Sequence, residues 1–315
     1  MQNRLKVSVS PHIHKPVSIS KIMWSVNLSL IPAGIAGAII FGFSALWITV
    51  ISLITAVTTE AVIQKLTNKK ISVKDGSAFL TGLLLAYNLS PSVPLWIPVV
   101  GSFFSIAIGK MIFGGLGQNI FNPALAGRAF LMASWPSYMT SFTGPLKFDA
   151  VTSATPLALL KEGKPLGDVS YMDLFLGLRG GCIGEVCIIA LLIGAAYLLF
   201  RGYINWQIPF TFILTVGLFT WICGPRGFLT GDGIFHVLSG GLILGAFFMA
   251  TDYVTSPLTI NGQIIFAFGC GLLTAIIRLW GGYPEGVSYA ILIMNAATPI
   301  IDRFTKTRVY GTVRY

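Results

Sequence analysis

Residues 44–66 read SALWITVISLITAVTTEAVIQKL, and this stretch decides the class of fold. Its charged residues are Glu60 and Lys65, both near its end. A helix needs about 20 consecutive apolar residues to cross the hydrocarbon layer of a bilayer. The stretch therefore predicts one transmembrane helix.

Comparable apolar stretches recur along the chain and predict an all-α polytopic membrane protein of about ten transmembrane helices. The other clear spans are residues 22–42, 93–113, 182–200, 206–223 and 262–280. Weaker, Gly- or Pro-interrupted spans are 77–89, 119–135, 233–250 and 287–301.

The composition agrees with a membrane location. Hydrophobic residues make up 54% of the 315 residues and charged residues only 10%, whereas soluble domains carry about 25% charged residues. The net charge of +10 lies in short clusters between apolar stretches, which is typical of topology signals rather than of a nucleic-acid surface. We therefore expect no nucleic-acid partner, and expect membrane lipid around the chain.

Charge placement predicts the orientation. With a cytoplasmic N-terminus, the basic clusters at residues 4–21, 65–74 and 303–314 all fall on the cytoplasmic side. The expected parts, in chain order, are a cytoplasmic N-terminal segment 1–21, a first five-helix repeat 22–135, an extracytoplasmic loop 136–172, a second five-helix repeat 173–302 and a basic cytoplasmic tail 303–315.

Two pairs of stretches indicate an internal repeat. DGSAFLTGLLLAYNLSPSVP begins at Asp75 and DGIFHVLSGGLILGAFFMATDYVTSP at Asp232. Lys110 and Arg278 each precede a Gly-Gly pair by a few residues. Because five is an odd number of spans, two such halves have opposite orientations, an arrangement that many transporters use to build a central site.

The expected outer loop contains DAVTSATPL, from Asp149 to Leu157. On the residues alone, small hydroxyl side chains before a proline form a turn in which Thr155 is extended. The other interpretation is an accessible hydroxyl to which a bulky group is attached.

This stretch resembles the flavin-attachment motif of the NqrB and RnfD membrane proteins of the Nqr and Rnf respiratory complexes. Three further stretches are similar to that family, in the same order: residues 113–130, 247–257 and 281–302. The chain lacks the longer N-terminal region of NqrB, so its length is closer to that of RnfD. Ala150 and Ser153 depart slightly from the commonest motif.

The resemblance implies a covalent FMN, joined by a phosphoester to Thr155 and installed by a separate flavin transferase. The expected motif context is Asp149, Thr152, Ser153, Ala154 and Pro156. It also implies a fold similar to urea transporters, and it leaves open a second, noncovalent flavin such as riboflavin. The implied partners are the other membrane, flavin and iron–sulfur subunits of an Rnf-type complex in the prokaryotic inner membrane. That complex couples electron transfer between ferredoxin and NAD to the translocation of Na⁺ or H⁺, and this chain would be enzymatic only within it.

Ionisable residues inside spans are costly and often functional. We expect Arg128 and Asp252 to line a central site, although Arg128 could instead satisfy helix carbonyls and Asp252 could cap a short helix. Glu185 lies early in another span. Lys110 and Arg278 are expected to extend toward the headgroups.

The rival functions are a channel or transporter for a small neutral solute, a structural scaffold, and the NqrB role in an Nqr complex.

Overall fold

The computed structural model describes residues 18–144, 152–153, 155–163, 170–224 and 227–306. The structure is almost entirely helical. The helices are α1 Ile19–Phe41, α2 Phe43–Leu66, α3 Ser77–Tyr87, α4 Trp96–Ile106 with a π-helical extension Ala107–Met111, α5 Pro123–Ser134, α6 Pro136–Thr140, α7 Pro156–Lys161, α8 Tyr171–Leu176, α9 Ile188–Arg201, α10 Gln207–Ile222, α11 Gly233–Leu238, α12 Leu242–Leu244 with a π-helical extension Gly245–Met249, α13 Ile260–Trp280 and α14 Val287–Phe304.

Two short antiparallel ribbons and one 3₁₀ turn complete the structure. Strand β1 (Phe142–Thr143) pairs with β2 (Thr152–Ser153), and β3 (Cys223–Gly224) pairs with β4 (Gly227–Phe228). The 3₁₀ turn Val73–Asp75 leads into α3.

Three helices are long and apolar enough to cross a membrane, namely α1, α2 and α13. Shorter apolar helices accompany them: Ser77–Tyr87, Trp96–Met111, Ile188–Arg201 and Gln207–Ile222. Large apolar side chains such as Phe43 and Phe200 are exposed on the outside of these helices. Such an apolar surface is favourable in contact with lipid and unfavourable in contact with water. The chain is a multi-pass membrane protein, and the expected count of ten spans in two inverted repeats stays a prediction.

Close packing between α1 and α9 joins the early and late parts of the chain. A Cβ at Gly194 of α9 would lie 2.0 Å from the carbonyl oxygen of Ser29 in α1. Only glycine allows this approach, and small residues at such crossings are how membrane helices pack without a hydrophobic driving force.

The expected span at residues 182–200 begins later than the sequence indicates. Residues 177–187 are irregular, and α9 starts only at Ile188. The backbone N–H groups of Ile183 and Gly184 donate to the carbonyls of Leu89 and Tyr87, each at 3.0 Å. This irregular segment is therefore held against the end of α3, which supplies hydrogen-bond partners that a lipid environment cannot.

Helix α11 and helix α12 interrupt the expected span at residues 233–250. Helix α11 ends at Leu238, and Ser239 and Gly240 turn the chain before α12 begins. Gly240 has φ +68°, a backbone conformation that residues other than glycine rarely adopt.

Candidate functional site

Thr155 is the N-cap of the short helix α7. Its hydroxyl oxygen accepts a hydrogen bond from the backbone N–H of Ala158 at 3.2 Å, and Pro156 occupies the first helical position, where its missing N–H costs nothing. The extended backbone before Pro156 agrees with the turn expected from the sequence. Thr155 is only 5% exposed, so its hydroxyl lies inside the protein rather than on an open loop.

Thr155 lines a small cavity of about 60 Å³, which we call the Thr155 cavity. Its walls come from α5, α6, β1, α7 and the turn that precedes α14. The lining residues are Arg128, Ala129, Met132, Met139, Thr140, Phe142, Thr155, Ala158, Tyr283, Pro284, Glu285, Gly286, Ser288 and Tyr289.

Arg128 supplies positive charge to this cavity. Its guanidinium donates to the Glu285 carboxylate and to the side-chain oxygen of Asn88. Glu285 lies in the turn before α14, so the ion pair joins α5 to that turn in the cavity wall. Cys182 also lies beside Arg128, with 3.8 Å between its Sγ and Nη2.

Two aromatic rings form one wall of the cavity. Tyr283 and Tyr289 stack with centroids 5.3 Å apart and ring planes 29° apart. A planar aromatic ligand binds favourably against such a wall, because offset-stacked rings attract each other beyond the effect of area burial. The cavity therefore combines a hydroxyl, a cation and an aromatic surface.

Asp252 lies apart from the Thr155 cavity. It lines a second cavity of about 80 Å³, together with Lys110 and Asn122. Its carboxylate accepts from the Thr255 hydroxyl at 3.2 Å and from the Val254 N–H at 3.5 Å. These contacts lie within a turn at residues 253–255 and not at the start of a helix, so Asp252 is not the helix cap that the sequence left open. Arg128 and Thr155 thus share a cavity that does not include Asp252.

The remaining residues of the expected motif are only partly described. Asp149 and Ala154 lie outside the described residues, and Thr152 and Ser153 are described as the backbone of strand β2. Pro156 is buried beside Thr155. The importance of these positions for flavin attachment stays a prediction.

The expectation that Lys110 and Arg278 extend toward the headgroups is wrong. Lys110 is 2% exposed and its ammonium lies 2.6 Å from Glu60 and 2.6 Å from the Ser77 hydroxyl. Arg278 is buried and donates to the carbonyls of His236, Ser239 and Glu285. Both side chains turn inward because polar partners inside the protein satisfy their donors.

The sequence also missed Glu285, the ionic partner of Arg128. Its surroundings, GGYPEGVS from Gly281 to Ser288, have the composition of an exposed turn. The signal that could have found it is the unpaired buried charge of Arg128, which needs a carboxylate.

The chain matches the NQR2, RnfD, RnfE family across residues 6–311. It is 55% identical to the D subunit of the Na⁺-translocating ferredoxin:NAD⁺ oxidoreductase complex of Acetobacterium woodii, over 98% of this chain and 96% of that protein. It is 52% identical to the D subunit of the proton-translocating ferredoxin:NAD⁺ oxidoreductase complex of Clostridium ljungdahlii, over 99% and 98%. The D subunit of the ion-translocating oxidoreductase complex of Stutzerimonas stutzeri is 39% identical, over 93% and 92%.

Proposed function

The chain belongs to the NQR2, RnfD, RnfE family, and from this membership we propose that it is the flavin-carrying membrane protein RnfD of an ion-translocating ferredoxin:NAD⁺ oxidoreductase complex. The two most similar relatives reported above are subunits of that oxidoreductase. Each match covers nearly the full length of both this chain and the relative. The chain acts within the complex, with ferredoxin and NAD bound by other subunits.

The observation that carries the flavin proposal is the placement of Thr155 in the wall of a cavity that Arg128 and two aromatic rings also line. Attachment forms a bond between the Thr155 hydroxyl oxygen and the phosphorus of the flavin phosphate and breaks the bond from that phosphorus to a nucleotide carried by the flavin donor. The nucleotide and the hydroxyl proton are released, and no electron is transferred. Bound in this way, a flavin supplies one- and two-electron chemistry. The residues around Thr155 include an ion-paired arginine and two stacked aromatic rings, which suit the phosphate and the ring system of such a group.

The chain's own side chains have distinct tasks in this proposal. Thr155 fixes the phosphate end of the group, and Arg128 supplies positive charge near it. Tyr283 and Tyr289 give a flat surface for the ring system. Glu285 lines the same cavity and holds Arg128 in place through their ion pair. A second flavin, held noncovalently, is a further part of the proposal that these residues do not address.

We further propose two inverted five-helix halves with both termini in the cytoplasm. In support, Asp75 accepts from the Ser77 N–H before α3, and Asp232 accepts from the Phe235 N–H at the start of α11. Lys110 and Arg278, which the sequence pairs across the halves, are both buried and hydrogen-bonded. Both aspartates thus accept a backbone N–H near the start of a helix and both basic residues are buried, although Lys110 bonds to side chains and Arg278 to backbone carbonyls.

Sequence similarity to the relatives does not identify the coupling ion. The relatives from Acetobacterium woodii and Clostridium ljungdahlii bear names that specify Na⁺ and protons, respectively, yet they are 55% and 52% identical to this chain. A direct measurement of ion transport is therefore needed to identify the ion.

The proposal is tested by measuring whether flavin is covalently attached to Thr155. The chain is co-expressed with an active flavin transferase, denatured, and analysed by in-gel flavin fluorescence and peptide mass spectrometry. We expect an FMN-sized adduct on the Thr155 peptide and its complete loss in Thr155→Val. Thr140→Val is the matched control, because Thr140 lines the same cavity and its hydroxyl is bound to the Pro136 carbonyl.

The control protein should keep its fluorescence. If Thr155→Val retained covalent flavin, the attachment site would be elsewhere. If the unmodified chain carried none while the transferase modified another substrate, the flavin proposal would be wrong and the small-solute transporter would become the better hypothesis.

A further inference from the structure

Five exposed lysines lie at the start of α1 and along the connection from α2 to α3, and we call them the lysine patch: Lys21, Lys65, Lys69, Lys70 and Lys74. None of them forms an ion pair with another residue in the described part of the chain. Asp75, the acidic residue that follows the patch, directs its carboxylate at Ser77 and accepts its backbone N–H at 2.8 Å and its hydroxyl at 2.6 Å. The positive charge of the patch is therefore available to a ligand from outside the chain.

The connection between α2 and α3 is held in one shape by Gln64. The amide oxygen of Gln64 accepts from the Ser72 N–H at 2.9 Å, and its amide nitrogen donates to the Ser72 hydroxyl at 2.8 Å. The Lys69 N–H donates to the Gln64 carbonyl at 2.9 Å. Asn68 turns the chain between them with φ +52°, a left-handed conformation that asparagine adopts more readily than most residues. The lysines of this connection therefore lie around one fixed turn.

Helix α1 joins the same surface. The Lys74 carbonyl accepts from the Trp24 indole N–H at 3.2 Å and from the Ser20 hydroxyl at 3.4 Å. Lys21 follows Ser20 in the first turn of α1, so it lies near the Lys74 backbone. A signal for membrane orientation requires only that basic residues be present on one side. Here hydrogen bonds to two helices also determine where the lysines lie, so the patch is a surface of defined shape.

Apolar side chains place the patch at the depth of the lipid headgroups. Trp24 is exposed near the start of α1, and tryptophan is enriched where membrane helices meet the interface. Leu66 and Ile71 are 77% and 57% exposed among the lysines. Apolar and basic side chains side by side are typical of a surface that lies between acyl chains and headgroups. The indole bond to Lys74 holds the turn at this level, whereas a soluble acidic partner would require it to project into water.

We propose that the lysine patch binds the headgroup phosphate of an anionic phospholipid, such as phosphatidylglycerol. The ammonium groups attract the phosphate, because each basic side chain near a membrane surface adds to the attraction for anionic lipid. Leu66 and Ile71 contact the acyl chains of the same lipid. This lipid site is independent of whether Thr155 carries a flavin.

The test is native mass spectrometry of the delipidated full chain in detergent, titrated separately with dioleoylphosphatidylglycerol and dioleoylphosphatidylcholine. The two lipids have the same acyl chains and differ in net charge. Each lysine near the surface contributes about fivefold to the affinity for anionic lipid. We therefore expect the first phosphatidylglycerol to bind at least about tenfold more tightly than phosphatidylcholine.

Lys65→Gln/Lys70→Gln/Lys74→Gln should remove this preference for phosphatidylglycerol. Lys69 is left in place because its ammonium donates to the Gly114 carbonyl at 3.3 Å and so contributes to the structure.

The matched control is Arg201→Gln/Arg303→Gln/Lys306→Gln. These three residues are exposed and lie outside the patch, so the control loses as many positive charges as the first variant. It should keep the preference for phosphatidylglycerol, because the net charge of the chain then falls without any change to the patch.

A second variant, Lys65→Arg/Lys70→Arg/Lys74→Arg, keeps the charge of the patch with different side chains. It should retain the preference, which separates a loss of charge from a local change of structure. Far-ultraviolet circular dichroism of each variant checks that the helices are intact.

The proposal is overturned if the unmodified chain binds the two lipids equally, and an acidic protein surface would then be the better occupant. It is also overturned if the glutamine variant keeps its preference, if the control loses as much preference as that variant, or if the arginine variant loses it.

Discussion

The buried ion pair between Lys110 and Glu60 gives a stability prediction that can be worked out from the structure. The ammonium and carboxylate are 2.6 Å apart, and the two side chains are 2% and 1% exposed. Removing one partner leaves the other charge buried and unpaired, which costs about 3–5 kcal/mol. We expect Lys110→Met and Glu60→Leu each to lower the free energy of unfolding by this amount.

The double variant is expected to behave differently. Replacing a whole buried pair by apolar side chains is often neutral or stabilising. The neighbouring polar groups keep other partners, since Ser77 still donates to Asp75 at 2.6 Å and Gln64 still donates to Ser72 at 2.8 Å. We therefore expect Lys110→Met/Glu60→Leu to be about as stable as the unmodified protein.

The assay is reversible unfolding in mixed micelles, titrated with SDS and followed by far-ultraviolet circular dichroism. Lys65→Met is the control, because Lys65 is exposed on the same helix as Glu60 and should change stability by less than about 0.5 kcal/mol. If the two single losses simply added in the double variant, the residues would not be interacting as a buried pair and this reasoning would be refuted.

Three further predictions concern single contacts. Gly194→Ala should lower the free energy of unfolding by about 1–3 kcal/mol, because the new Cβ meets the Ser29 carbonyl at 2.0 Å; an unchanged SDS midpoint would show that α1 and α9 separate easily. Arg128→Met should destabilise the protein by about 3–5 kcal/mol, because it leaves Glu285 unpaired, and Glu285→Gln in the same chain should recover part of that loss in the same titration. Tyr171 donates to Asp232 at 2.5 Å, and this hydrogen bond raises the pKa of the Tyr171 hydroxyl above its usual 10.0. The stability contributed by the protonated phenol is fully present below pH 10 and is lost as the pH rises through the raised pKa. In thermal melts at a series of pH values, the stability of the unmodified protein relative to Tyr171→Phe should therefore decrease only above pH 10.

The long helices were predictable because their apolar stretches are continuous. The span expected at residues 44–66 corresponds to α2 at Phe43–Leu66, and the span expected at 262–280 corresponds to α13 at Ile260–Trp280. Here the length of the apolar stretch alone determines the helix, because lipid surrounds it and no distant partner is needed.

The irregular segments were not predictable in the same way. Residues 182–187 are apolar enough to continue a helix, but their N–H groups bond to carbonyls at the end of α3, far away in the sequence. Arg128 was recognised from the sequence as unusual, whereas its partner Glu285 lies in a turn of ordinary composition. Contacts of this kind depend on how the helices assemble, which a single sequence does not display.

The contact between the irregular segment and α3 has a consequence for biogenesis. When the nascent chain first enters the bilayer, the carbonyls of Tyr87 and Leu89 still lack the N–H groups of Gly184 and Ile183. At ordinary rates of translation those donors emerge roughly 5–20 seconds later. During that interval the insertion machinery, or water within it, must shelter the end of α3. A ribosome that stalls between these two points therefore leaves a product whose backbone acceptors at the end of α3 lack their donors.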